Sequence, residues 1–213
     1  TKSVFLRIRE IKFKEPYVDH KNLYPGQYII DIAKEIIKEN PDLKFENFDN
    51  SYEMLSKKAL DRSMRLIKDD LNKLGIKHDY FFSEKDLVKK KLVEKSIENL
   101  KRKKFVVEGY LKPPKGEESK DWKKTKRLIF KSSIFGDDSD RALQKNDGSW
   151  TYFANDVAYH SDKISRKYNY LINILGADHT GYTKRISAAV DAMSKGKTKL
   201  TCKVCQLVKL YKK

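Results

Sequence analysis

Two short segments in the last third of the chain combine residue types that can bind a charged ligand. The first opens with Tyr152 and carries Asp156 four residues later, followed by Tyr159 and His160. In a helix these four side chains share a face, one turn apart. A carboxylate one turn from a phenol can clamp a planar cation, because the acid binds it through two hydrogen bonds while the hydroxyl fixes its orientation. Helix capping and core packing are the competing explanation, and spacing alone favours that explanation.

The second segment, residues 176–179, reads Gly-Ala-Asp-His and ends a hydrophobic run typical of a strand. At the carboxyl end of a strand, glycine lets a ligand approach the backbone and a carboxylate can accept hydrogen bonds from hydroxyl groups. We therefore expect a ribose or phosphate contact at this turn. His160 and His179 do not combine with Cys202 and Cys205 into a known zinc spacing, so no metal site is predicted.

The elements that must position these residues follow from hydrophobic periodicity and turn signals. Helices are predicted at residues 2–14, 28–37, 51–74, 83–100, 152–167 and 182–193. Strands are predicted at residues 78–82, 105–110, 128–131, 170–175 and 200–210, with a turn at 113–116. The strand at 78–82 is aromatic and apolar, which favours a buried position. The last three elements form a strand–helix–strand unit, which predicts a parallel sheet.

An acidic, turn-rich block at residues 136–141 precedes the helix that opens at Tyr152. Polar groups that gather where secondary elements end are typical of binding sites in α/β folds. The Cys202–Cys205 pair, in contrast, is a lone C-x-x-C inside an apparent strand, and we interpret it as structural.

Charge is spread unevenly along the chain. The net charge is +17 over 213 residues, and residues 85–131 carry 17 Lys or Arg against seven Asp or Glu. Such a basic window can form a track for a polyanion such as RNA. Lysine runs also commonly solvate a helix face, and charge alone leaves both interpretations open.

Targeting features favour a cytoplasmic location. The chain has no apolar run near the ~18 residues that a membrane span needs. The residues after Thr1 lack the hydrophobic region of a secretory signal peptide. A secreted scaffold would also carry more than two cysteines. We therefore expect a cytoplasmic protein that does not bind membranes.

Several motifs, taken in order, resemble arginyl-tRNA synthetase of the bacterial type. The matching blocks are residues 24–29 (YPGQYI), 74–79 (LGIKHD), 108–116 (EGYLKPPKG), 135–141 (FGDDSDR), 147–160, 176–189 and 205–208 (CQLV). The resemblance runs nearly from end to end. The blocks at 147–160 and 176–189 are together specific to this family.

The resemblance implies a class I aminoacyl-tRNA synthetase, which activates arginine with ATP and Mg²⁺ and transfers it to the arginine-accepting tRNA. Tyr152 and Asp156 would then bind arginine, in agreement with the cation clamp. Asp178 would also lie in the pocket, facing either the arginine or the adenosine ribose, with Gly176 and His179 on the ATP side. We expect no catalytic nucleophile, because in-line attack of a carboxylate on the α-phosphate depends on positioning and charge stabilisation.

The resemblance also implies the fold class: α/β, with a partial Rossmann-like parallel sheet, flanking helices and a small basic α+β insertion. Residues 1–83 and 136–213 would belong to the catalytic domain. Residues 84–135 would form the insertion, with a helix and a β-hairpin. The parent protein is expected to be monomeric.

Both ATP signatures of the family are missing from this sequence. None of His20, His78, His160 and His179 has another histidine three residues away, so there is no His-x-Gly-His turn. The run Met193-Ser194-Lys195 imitates the Lys-Met-Ser-Lys-Ser-like loop, but it precedes the strand after which that loop would come. The tRNA-elbow and anticodon-binding domains are missing as well. We therefore expect part of a catalytic domain that is inactive by itself.

Two other classes of function remain as alternatives. The chain could be a freestanding, non-catalytic RNA-binding module derived from such an enzyme, using residues 85–131 in a salt-dependent manner. It could also be a nucleotide-binding domain of unrelated function. The ordered series of motifs makes the last alternative the weakest.

Overall fold

The first of the two units into which the chain divides is residues 1–81, whose described part contains three helices. They are α1 (Lys2–Phe13), α2 (Gln27–Glu39) and α3 (Phe48–Lys73). Apolar side chains at helical spacing form their core, in which Ile8, Ile36 and Leu55 are fully buried. The three helices confirm the periodicity in the sequence.

The computed structural model describes residues 1–18, 22–111, 125–209 and 211. The turn predicted at 113–116 lies outside the described residues, as do the lysines at 123 and 124.

Helix α3 shows how the local sequence sets an element's ends. The side chain of Asn47 accepts a hydrogen bond from the backbone N–H of Asp49 (2.7 Å) and so caps the first turn. At the other end Gly75 adopts φ +74°, a left-handed conformation that costs glycine little. The backbone N–H of Ile76 then returns to the carbonyl of Leu71 (2.8 Å), which closes the helix at the predicted glycine.

The second unit, residues 82–213, holds the remaining helices and all the strands of the described residues. Its elements are α4 (Glu84–Lys89), α5 (Leu92–Arg102), β1 (Val106–Gly109), β2 (Arg127–Phe130), β3 (Arg141–Ala142), α6 (Tyr152–Ser165), β4 (Tyr170–Gly176), α7 (Thr183–Ser194) and β5 (Lys199–Cys205). Strands β1, β2 and β3 form an antiparallel sheet in that order. Their core with α5, α6 and α7 contains Leu100, Phe130, Val157 and Ile186.

Strands β4 and β5 pair in parallel, and α7 connects them. This arrangement confirms the predicted strand–helix–strand unit and the α/β fold class. Along β4, Leu171 and Asn173 are buried while Ile172 and Ile174 are 57% and 74% exposed. One face of the parallel pair therefore packs inside the unit, and the other presents apolar side chains to solvent.

Three predicted elements differ from the structure, one of them the strand predicted at 200–210, which ends at Cys205. Residues 78–82 are not a buried strand; they form an irregular segment in which Tyr80 and Phe81 are exposed. A short apolar run does not by itself distinguish a strand from a loop that carries aromatic side chains. The helix predicted over 83–100 is divided into α4 and α5, because Lys91 adopts a left-handed conformation (φ +50°) between them.

Residues 84–135 share a hydrophobic core with residues 136–213. Strand β3, from the later segment, also pairs with β2 from the earlier one. The two segments are therefore one packing unit. The assignment of 84–135 as an insertion in a catalytic domain formed by 1–83 and 136–213, and the Rossmann-like character of the sheet, stay predictions. None of the described helices combines the length and apolar character of a membrane span.

Candidate functional site

The five predicted binding residues lie on two neighbouring segments of the second unit. Tyr152 and Asp156 occupy the first two turns of α6. Gly176 ends β4, and Asp178 and His179 lie in the 3-10 turn, residues 177–182, that leads into α7. The structure brings the segments together through a side chain that the sequence reasoning did not select, Tyr182.

Thr151 fixes the N-terminus of α6. Its hydroxyl oxygen accepts a hydrogen bond from the backbone N–H of Ala154 (3.2 Å), which is the standard cap of a first helical turn. The same hydroxyl lies 3.1 Å from the carbonyl oxygen of Ala142 in β3, to which it can donate. The next residue, Tyr152, is 84% exposed, with the Lys145 ammonium 5.9 Å from its ring centroid. Its aromatic face is therefore available to a ligand.

The Asp156 carboxylate is hydrogen-bonded to Tyr182, the residue that precedes α7. The Tyr182 hydroxyl donates a short hydrogen bond to Asp156 Oδ2, joining two residues 26 positions apart in the sequence. Burial raises the pKa of Tyr182, and the bond to the carboxylate raises this pKa further. The phenol therefore remains the donor throughout the physiological pH range.

A buried polar network joins the same helix, α6, to β4. His160 Nδ1 lies 2.8 Å from the backbone carbonyl of Asp156 and must donate to it, because a carbonyl only accepts. His160 Nε2 is 2.8 Å from the side-chain amide of Asn173, whose oxygen accepts from Lys163 (2.9 Å). The Asn173 amide nitrogen thus donates to Nε2, which assigns His160 as neutral. Burial lowers the pKa of both His160 and Lys163.

The four residues grouped on one face of α6 do not share one surface. Tyr152 faces solvent, whereas His160 is only 4% exposed. Tyr159 packs its ring against Phe82, with centroids 4.7 Å apart. Tyr159 and His160 therefore support the helix, and the cation clamp of Tyr152 and Asp156 stays a prediction.

Asp178 and His179 lie at the exposed edge of the site. Their side chains are 79% and 54% exposed, and His179 Nε2 is 3.4 Å from Asp178 Oδ2. A Cβ added to Gly176 would lie 2.5 Å from Asp178 Oδ1, so glycine lets this carboxylate fold back over the end of β4. The His179 ring meets the Tyr182 ring edge to face, with centroids 6.3 Å apart. Tyr182 therefore contacts both segments.

The acidic block at 136–141 is largely a structural clamp. Burial opposes ionisation of Asp137, but hydrogen bonds from Arg141 (2.6 and 2.7 Å) and Ser132 (2.9 Å) lower its pKa. The paired carboxylate is thus held ionised inside the loop. Its neighbour Asp138 is exposed and accepts a hydrogen bond from Lys184 of α7 (2.8 Å). The loop therefore anchors the start of α7, close to Tyr182 in the sequence.

Several lysines of the basic window make intramolecular contacts. Lys103 Nζ donates to the carbonyls of Ala192 (3.2 Å) and Met193 (2.8 Å), capping the C-terminal end of α7. Lys126 pairs with Glu108 at 2.8 Å. Part of the charge excess between residues 85 and 131 therefore stabilises the unit itself. Whether the window binds RNA stays a prediction.

The described residues hold no cluster of three or more His, Cys, Asp or Glu side chains suited to a metal ion. A cleft of about 750 Å³ lies in the first unit, lined by charged side chains of α2 and α3 that include Glu39, Lys58 and Arg62. Lys58 and Arg62 hydrogen-bond to Glu39 and lower its pKa to about 2. These charges satisfy one another, which favours a structural ion-pair network joining the two helices.

Comparison with known proteins identifies relatives that are named arginine–tRNA ligase. The chain is 55% identical over 213 residues to the arginine–tRNA ligase of Pelagibacter ubique, covering 100% of the chain and 37% of that protein. It is 44% identical over 210 residues to the arginine–tRNA ligase of Wolbachia sp. subsp. Brugia malayi, covering 99% of the chain and 37% of that protein. The chain thus spans little more than a third of the length of these relatives. No family model matches it.

Solved structures agree with these relatives. A Campylobacter jejuni protein described as an arginyl-tRNA synthetase superposes with a TM-score of 0.78 at 30% identity, over 97% of this chain and 42% of that one. The arginyl-tRNA synthetase of Plasmodium falciparum superposes with a TM-score of 0.56 at 19% identity, which supports the fold alone.

The neutral, buried state of His160 predicts a pH-dependent stability. An unfolded histidine titrates near pH 6.5, while the folded ring resists protonation. Below about pH 6.5 the unfolded chain therefore binds more protons. As the pH is lowered, the free energy of unfolding should therefore decrease, by up to about 1.4 kcal/mol per pH unit from this group. Urea denaturation of the chain between pH 7.5 and 5.5, followed by circular dichroism, measures the slope.

Two variants isolate the contribution of the buried ring. His160→Gln removes the titrating group and should flatten the pH dependence, whatever its effect on stability at pH 7.5. His78→Gln changes an exposed histidine and should keep the wild-type slope. The same slope for His160→Gln and for wild type would contradict the assignment.

Proposed function

We propose that this chain, which belongs over its whole length to the arginyl-tRNA synthetase family, forms the part of the active site that binds arginine and the adenosine of ATP. The observation that carries the proposal is the part-buried Asp156 carboxylate, held by Tyr182 one turn below the exposed ring of Tyr152. A planar cation of the size of a guanidinium suits this arrangement.

In the proposed pocket Asp156 binds the guanidinium of arginine. Its carboxylate offers two oxygens in one plane, which match the two parallel N–H groups of a guanidinium. The Tyr152 ring, one helical turn away, can stack on the same planar group or fix its orientation through the hydroxyl. Asp178 lies in the turn that follows β4 and would contact either the arginine or the adenosine ribose. Charge and aromatic surface together favour arginine among the amino acids.

The ATP side of the proposed site is the turn after β4. Gly176 leaves the backbone open at the carboxyl end of a parallel strand, where α/β folds bind nucleotides. His179 is half exposed beside it and can contact the adenosine. Mg²⁺ would be carried mainly by the phosphates of ATP, as is usual for this ion. The contribution of these residues to the reaction would be to bind and orient the substrates.

The whole enzyme, in this proposal, transfers arginine to its tRNA in the cytoplasm as a monomer. The family resemblance supports these partners and this location. The exposed apolar face of β4, with Ile172 and Ile174, supports the presence of further covering structure in the parent protein, because parallel sheets are normally buried on both faces.

The function is tested with Asp156→Asn in the full-length product of the reading frame that contains this chain. The variant keeps the shape of the side chain and removes its charge. Losing one partner of a hydrogen-bonded charge pair costs about 2–5 kcal/mol, so the KM for arginine should rise roughly 30- to 4,000-fold. The KM for ATP should change little. Aminoacylation of tRNA with radiolabelled arginine measures both constants.

Asp162→Asn is the matched control, since Asp162 lies on the same helix and pairs with Arg166. It should leave the KM for arginine near the wild-type value. An equal rise in the KM for arginine in both variants would contradict the assignment of Asp156 as the residue that binds the guanidinium. A wild-type protein that aminoacylates tRNA with no preference for arginine would overturn the proposed function as a whole.

The 213-residue chain alone should be inactive, because it lacks the two ATP signatures of the family. With tRNA present in both assays, we expect no arginine-dependent exchange between ATP and pyrophosphate above background from the isolated chain, whereas the full-length product should show exchange. Exchange by the isolated chain at a comparable rate would contradict this expectation.

A further inference from the structure

Tyr182 is the side chain that determines where the Asp156 carboxylate can point. Its hydroxyl donates to Oδ2, and the bond joins the middle of α6 to the residue that precedes α7. A carboxylate on a helix surface otherwise rotates freely about its last torsion angle. A donor anchored on another element fixes the plane of the two oxygens.

The ring of Tyr182 is itself held on three sides. It packs edge to face against Phe153 at 6.2 Å between centroids, and the guanidinium of Arg185 lies 5.1 Å from its centroid. His179 contacts it from the turn at 6.3 Å. A hydroxyl on a ring fixed in this way is a preorganised donor, because little side-chain entropy is lost when the hydrogen bond forms.

We propose that Tyr182 is a positioning residue for substrate specificity, which orients the Asp156 carboxylate so that it accepts a planar guanidinium in preference to an ammonium. This inference rests on the proposed function. It adds a residue that touches no substrate and acts through Asp156.

The geometry of the two cations explains why orientation selects between them. A guanidinium forms two parallel hydrogen bonds only when it is coplanar with the carboxylate, so a rotated carboxylate loses one of them. The ammonium of lysine is a compact point charge whose donors rotate, and it binds a carboxylate at any angle. Fixing the plane of Asp156 therefore favours arginine and leaves the affinity for lysine nearly unchanged.

The test is Tyr182→Phe in the full-length product, which deletes one oxygen and keeps the packed ring. We expect the KM for arginine to rise roughly 10- to 100-fold, in the range for one hydrogen bond to a charged group. The kcat should change less than about threefold, and the KM for ATP should stay constant. The inhibition constant of lysine, measured against arginine, should shift less than about twofold. The preference for arginine over lysine should therefore fall by nearly the same factor by which the KM for arginine rises.

Tyr170→Phe is the matched control. It removes the hydroxyl of an exposed tyrosine that begins β4, at the opposite end of the strand from Gly176, and whose hydroxyl lies 2.7 Å from the Thr201 hydroxyl. Its arginine KM should equal that of wild type. An arginine KM for Tyr182→Phe within twofold of wild type would overturn the inference. So would equal losses of arginine and lysine binding, which indicate a general loss of pocket structure.

A second readout separates this inference from the proposed function. Nuclear magnetic resonance of ring-labelled tyrosine in the full-length product follows the ionisation of Tyr182 with pH. We expect its pKa above that of an ordinary tyrosine, and a lower value in Asp156→Asn. Ionisation near pH 10 in wild type would overturn the inference even if arginine is the substrate. A raised pKa without arginine specificity would instead overturn the proposed function and its substrate assignment, while the Tyr182–Asp156 contact would stand.

Discussion

The hydrogen bond between Tyr182 and Asp156 is the interaction on which the proposed site depends. It joins α6, which carries Asp156, to the turn that carries Asp178 and His179. The hydrogen bond between His160 and Asn173 already joins α6 to β4. The Tyr182 hydroxyl adds the direct contact to the Asp156 carboxylate, while the Tyr182 ring contacts His179.

Small residues make this contact possible. Ala154 and Ala158 on α6 and Ala188, Ala189 and Ala192 on α7 are buried in the core of the second unit. Alanine allows helices to approach closely without leaving voids. Behind them, the chain of hydrogen bonds through the His160 ring satisfies the polar groups that burial would otherwise leave unpaired. Core packing against α7 and the hydrogen bonds of His160 therefore both hold α6 in place.

Much of the fold could be predicted from the sequence because its signals are local. Hydrophobic periodicity identified α1, α2, α3, α6 and α7. The strand–helix–strand order predicted the parallel pairing of β4 and β5. The strand predicted at 78–82 was wrong, because the segment is irregular in the structure and its Tyr80 and Phe81 side chains are exposed. The break between α4 and α5 was missed because it lies at Lys91, which adopts a left-handed conformation. A glycine at this position would have indicated the break, whereas a lysine does not.

The candidate site could be predicted only in part. Tyr152 and Asp156 were selected from helical spacing together with the family resemblance, whereas spacing alone favoured a structural role; their binding role stays a prediction. Tyr182 was missed because its partner lies 26 residues away and the pairing depends on how two elements pack. The inward orientation of His160 was missed for the same reason, since its partner Asn173 lies on a strand. Contacts of this kind belong to tertiary structure and leave no local pattern.

The most direct test of this account is a crystal structure of the full-length product with arginine bound. The account predicts two guanidinium nitrogens within hydrogen-bond distance of the Asp156 carboxylate, with the Tyr182 hydroxyl still bonded to Oδ2. A guanidinium bound by a different acid, with Asp156 bonded to Tyr182 alone, would contradict it.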